Sequence, residues 1–99
     1  MELFKKLERY AKNTLKEANT YADQYLLFKA DMNTEMSNLM LNLANIHIDI
    51  YNKIHQAMVN TINDYKRTHG DAPGHMKVLY DYIHEQEVEW MQDIKSKLK

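Results

Sequence analysis

Two ionisable residues stand where a helix would turn them inward, His47 and Glu87. His47 sits in the run LANIHIDIYNKIH, residues 43–55, four after Leu43 and three before Ile50. Glu87 falls among Tyr80, Ile83, Trp90, Met91 and Ile94, at helical spacing, and His84 precedes it by one turn. Neutral imidazole and carboxylate both ligate divalent metals, and helical bundles often frame such sites. His47, His84 and Glu87 therefore form a candidate metal set for iron, manganese or zinc, with Glu35 or His55 as further donors. The structural alternative is a buried His–Glu hydrogen bond, or two rim residues whose heads reach water. A single inward histidine is most often a satisfied core residue. A carboxylate in an apolar face must pair, bind metal, reach water or take up a proton.

Other chemistry is sparse. There is no cysteine, which excludes disulfides, thiolate metal sites and cysteine nucleophiles. No phosphate-cradling glycine loop, zinc-helix signature, calcium loop or nucleophile elbow occurs. The expectation is a non-enzyme with no catalytic residues and no bound cofactor. The six internal methionines suit gap-filling in a helical core, and the tyrosines suit face edges.

Ninety-nine residues suit one domain with one modest core. Thirteen basic and fourteen acidic residues nearly cancel, and the lysines are dispersed. Nucleic-acid binding needs a concentrated positive stripe, so no nucleic-acid partner is expected. No apolar run approaches the roughly 20 residues that cross a bilayer, so no membrane partner is expected either. MELFKKLERYAKN lacks the pattern of a signal peptide, which points to the cytoplasm.

Glycine and proline occur only at Gly70, Pro73 and Gly74. A sheet needs tight turns, and nothing before residue 70 supplies them. The alternation Ile46-His47-Ile48-Asp49-Ile50 therefore has no hairpin to join and reads as helix. Gly70 suits a helix C-terminus, Asp71 a cap, and Pro73 a first turn. A second break falls at Ala30–Thr34, with Thr34 as cap, and a weaker one at Asn19-Thr20. The fold expected is all-α: an antiparallel bundle of three long helices over about 2–29, 33–68 and 73–97, four if the first breaks.

The first helix puts Leu3, Phe4, Leu7, Tyr10, Ala11, Thr14, Ala18, Tyr21, Ala22 and Tyr25 on one side. The second carries a main face of Met36, Leu39, Met40, Leu43, Ile46, Ile50, Ile54, Ala57, Met58 and Tyr65. A second stripe, Leu41, Ile48 and Val59, with His55 and Ile62 on its flank, lies roughly 120–150° away. The third shows Met76, Leu79, Tyr80, Ile83, Trp90, Met91, Ile94 and Leu98. Two neighbours cannot wrap a helix that is apolar over more than half its circumference. Some 35 helical residues also span about 52 Å, against a radius of gyration near 13 Å for a compact chain of this length. The second stripe is therefore expected to be a contact surface, filled first by another copy in a dimer or higher homo-oligomer.

From Asp31 onward the layout resembles the small ferritin-like (rubrerythrin-like) proteins of bacteria and their phages. The resembling stretches are EMSNLMLNLANIH (35–47), the Gly-Pro loop, and YDYIHEQEVEWMQDIKSKL (80–98). The resemblance implies an antiparallel, often dimeric bundle with a di-iron or di-manganese centre, built from inward Glu on two helices and Glu-x-x-His on the others. Here the second helix reads Met40-x-x-Leu43 at those positions and the third reads His84-x-x-Glu87, the reverse order. The resemblance then implies a centre lost or rebuilt. The reading that follows is a small non-enzymatic helical interaction protein, phage-encoded or accessory in bacteria, that self-associates and binds an unknown protein partner. The competing reading is a ferritin-like metal or redox protein using His47, His84 and Glu87.

Overall fold

A computed structural model of the chain describes residues 2–70 and 74–99, with the side chains of residues 2, 69, 74–80, 82 and 83 outside that description. It has three helices, α1 (Glu2–Ala30), α2 (Thr34–His69) and α3 (Gly74–Lys97), and no strand among the described residues. α1 runs unbroken through Asn19-Thr20. There Thr20 Oγ1 donates to the Lys16 carbonyl at 3.1 Å, a bond made within the helix.

The first turn is built without glycine. Met32 takes the left-handed conformation at φ 59°. Asn33, not Thr34, caps α2: its side-chain oxygen accepts from the Met36 amide at 3.2 Å. Asparagine leads the capping preferences and threonine trails them, and with Met32 reversing the chain Asn33 is the residue that precedes the first helical turn. α2 closes at Gly70, at φ 87°, whose N–H donates to the Lys66 carbonyl. The expected roles of Asp71 and Pro73 and the packing of Met76, Leu79, Tyr80 and Ile83 lie outside the described residues.

α2 returns alongside α1, and one core draws on all three helices. Phe4, Ala11, Leu15, Ala18 and Ala22 meet Ile48, Tyr51, Met58 and Ile62, with Met91 and Ile94 from α3. On α1 the buried residues step by four and three from Ala11 to Tyr25, the spacing of helices packed nearly parallel in axis. Three of these core positions, all on α1, are small: Ala11, Ala18 and Ala22; Ala44 of α2 is fully buried as well. Leu15, absent from the expected α1 face, is fully buried, whereas Leu3 and Tyr10 are more than half exposed.

Lys97 fixes the end of α3. Its Nζ lies 2.8 Å from Asn19 Oδ1 and 2.9 Å from Asp23 Oδ1, both on α1, and 3.4 Å from Asp93. The hydrogen bond to Asp23 leads in holding its ammonium above the ordinary lysine range. The molecule measures 55 × 18 × 18 Å, with a radius of gyration of 16.2 Å. Its long dimension is that of α2, whose 36 residues rise about 54 Å.

Candidate functional site

The candidate metal residues do not converge. His47 turns toward α1. Its Nδ1 lies 2.8 Å from the Leu43 carbonyl and its Nε2 2.9 Å from a Glu17 carboxylate oxygen, with the Tyr21 ring 5.1 Å away between centroids. Both ring nitrogens are thus engaged, away from His84 and Glu87. Among the described residues no three His, Asp or Glu side chains are spaced to hold a metal ion. The Glu35 side chain is exposed, at the first turn of α2.

His84 and Glu87 meet different partners, Tyr51 and His55. Tyr51 Oη donates to Glu87 Oε2 at 2.6 Å, both residues being buried. The His55 and His84 rings lie 5.1 Å apart, and Tyr51 and His55 6.0 Å apart. Burial pushes the Glu87 carboxyl above the usual carboxylate range. The Tyr51 hydrogen bond opposes this, Glu8 on α1 adds to it, and His84 and Lys12 weaken it. Burial, and then the neighbouring His84, hold His55 below the ordinary histidine value. These groups border a cavity of about 290 Å³ between α2 and α3, with Met91 and Lys95 on its wall. That is at the small end for a ligand pocket. The cluster can hold a proton between phenol and carboxyl.

The expected contact stripe is also rearranged. Ile48 and Ile62 are each 8% exposed and belong to the core, so neither can meet a partner. Leu41, His55 and Val59 are half-buried. The apolar residues that α2 leaves outside are Leu39 (47% exposed), Ile46 (52%) and Ile50 (42%), with Met36 and Leu43 half-buried beside them. All five belong to the main apolar face that helical spacing alone turns inward. The reason lies in the width of the apolar arc. It runs continuously from Ile46 round to Leu41, and α1 and α3 occupy its middle, at Ser37, Ala44, Tyr51 and Met58. A composition-weighted face finds the arc but not the place on it where the neighbours sit. The signal that marks the middle is a strict seven-residue repeat, Ser37, Ala44, Tyr51, Met58, in which two members are too small or polar to count as apolar weight.

The exposed residues continue across to α1. Glu17 and Tyr21 meet His47, so this side of α1 adjoins the Leu43–Ile46–Ile50 side of α2. At about 100° per residue, Leu3 and Tyr10 share that side of α1 with Tyr21, and both are more than half exposed. His47 lies between this side of α1 and the α2 row, with the exposed Glu17 carboxylate beside it; Tyr10 and Leu3 lie farther along α1, past the level of Ile50. Among the described residues no helix is long and apolar enough to cross a membrane. Compared with known proteins, the chain matches no family model, no curated protein and no solved structure.

Proposed function

We propose that the protein is a non-enzymatic helical interaction module, an antiparallel three-helix bundle that self-associates and binds another macromolecule. The single observation behind this reading is the exposed apolar face of α2. Met36, Leu39, Leu43, Ile46 and Ile50 recur at steps of three and four, and Leu39, Ile46 and Ile50 remain 42–52% exposed. This is the sequence spacing of a helix that packs lengthwise on another helix. Isolated exposed leucines need no explanation, but a contiguous, regularly spaced row is what contact surfaces have. The nearly balanced charge and dispersed lysines favour a protein partner over nucleic acid.

Sedimentation equilibrium at micromolar concentration tests the reading. The wild type is expected to associate with rising concentration. The Leu39→Lys/Ile46→Lys variant is expected to stay monomeric with unchanged helicity, because both side chains already face solvent. A wild type that is monomeric throughout would remove the basis for self-association.

A further inference from the structure

Resting on the reading of the α2 row as a contact surface, we infer that its occupant is α2 of a second copy, running antiparallel about a two-fold axis beside Ala44 and Asn45. The row is complementary to itself in that direction. With the axis there, Leu39 faces the partner's Ile50, Leu43 faces the partner's Ile46, and each pairing repeats by symmetry. These are the mixed layers that antiparallel helix pairs form, and an isologous contact of this kind closes on itself.

The polar residues agree with the same register. Met36 falls opposite the partner's Lys53, whose methylenes can cover it, and Glu35 beside it is within reach of that ammonium. Glu35 and Lys53 are both exposed within one chain. On the outer flank Asn42 falls near the partner's Asp49, a donor facing an acceptor. In a parallel, in-register pair, by contrast, Glu35, Asp49 and Lys53 would each face their own copies, like charge against like. The row of large apolar side chains also ends where this register ends, since the next positions of its repeat are Lys53, the small Ala57 and Asn60. The paired length, Met36 to Lys53, is about 26 Å, short enough that association in the micromolar range is expected rather than an obligate dimer. The cavity bordered by Tyr51, His55, His84 and Glu87 opens on the other side of α2 and stays accessible in the pair.

The absence of cysteine makes the test clean, because a single introduced thiol takes a single label. Asn45→Cys and Asn60→Cys, both at exposed positions, are labelled with a nitroxide, and distances between copies are measured by pulsed dipolar spectroscopy. The antiparallel pair gives roughly 20–25 Å at residue 45, which points away from the contact, and about 45 Å at residue 60. A parallel pair gives short distances at both, since adjacent helix axes lie about 10 Å apart, and would overturn the pairing while leaving the contact surface in place. A dimer that survives Leu39→Lys/Ile46→Lys would overturn it as well. No association of the unlabelled wild type in sedimentation would instead overturn the self-association on which the pairing rests.

Discussion

Replacing Tyr51 by Phe isolates the bond that ties α2 to α3. The ring is buried and keeps its packing as Phe, so the change removes little beyond one hydroxyl. That hydroxyl donates to Glu87 at 2.6 Å, in a site where the carboxylate is itself buried. A hydrogen bond to a charged group contributes about 1.5–3 kcal/mol, and leaving a buried acceptor without its donor realises the upper part of that range. Tyr51→Phe is therefore expected to cost about 2 kcal/mol near neutral pH, enough to lower Tm by roughly 10 °C in a chain of this size. The cost depends on pH in a definite direction. Glu87 holds its proton more tightly in the folded chain than in the unfolded one. Its contribution to stability is fully present below the unfolded-state value and is lost as pH rises through the folded-state value. Below that folded-state value the pair is phenol and neutral acid, a bond of about 1 kcal/mol, so the cost of Tyr51→Phe shrinks on acidification. Glu87→Gln keeps an acceptor for Tyr51 without the buried charge, and gains on the wild type as pH rises. Urea unfolding followed by circular dichroism, for both single variants and the double variant across pH, measures the coupling. A Tyr51→Phe cost below about 0.5 kcal/mol, or one that grows on acidification, would refute the argument.

Ile48→Ala is expected to cost about 2–4 kcal/mol and Ile46→Ala less than about 1, with the same urea titration distinguishing the buried neighbour from the exposed one. Asn33→Ala should lose about 1 kcal/mol through the missing cap. Met32→Gly should gain up to about 1 by relieving a left-handed conformation that costs a side-chain-bearing residue 1–2 kcal/mol; thermal unfolding reads both. His55 is held below its ordinary value of 6.5, so its contribution is fully present above 6.5 and is lost as pH falls from there through the lower folded-state value. His55→Asn should flatten the acid limb of the stability profile.

The helices themselves were legible because so little opposes them. With two glycines and one proline, all between residues 70 and 74, the chain has no means of making a sheet, and Gly70 marks its own turn. The turn at Met32 left no such mark, because it spends a methionine in a conformation that usually selects glycine. Which residues α2 buries was read less well. Helical periodicity ranks positions by apolar weight, and several of the residues that α1 and α2 bury are small: Ala11, Ala18 and Ala22 on α1 and Ala44 on α2. Apolar weight therefore turns bulky Leu39, Ile46 and Ile50 inward and gives no place to Tyr51, whereas the structure buries Tyr51 and leaves the other three outside. His47 does face a neighbour, Glu17 on α1. Which of two flanking helices a side chain meets depends on where each helix lies around the arc, and that is fixed by three-dimensional packing, not by spacing along one helix.

The 55 × 18 × 18 Å outline has a practical consequence for any study of association. A body three times as long as it is wide drags more than a sphere of equal mass. A single copy will leave a size-exclusion column early, at a volume that compact standards would assign to something considerably heavier. Apparent mass from elution would then announce a pair whether or not one had formed. Scattered intensity, or the balance of sedimentation against diffusion, weighs the particle without asking its shape.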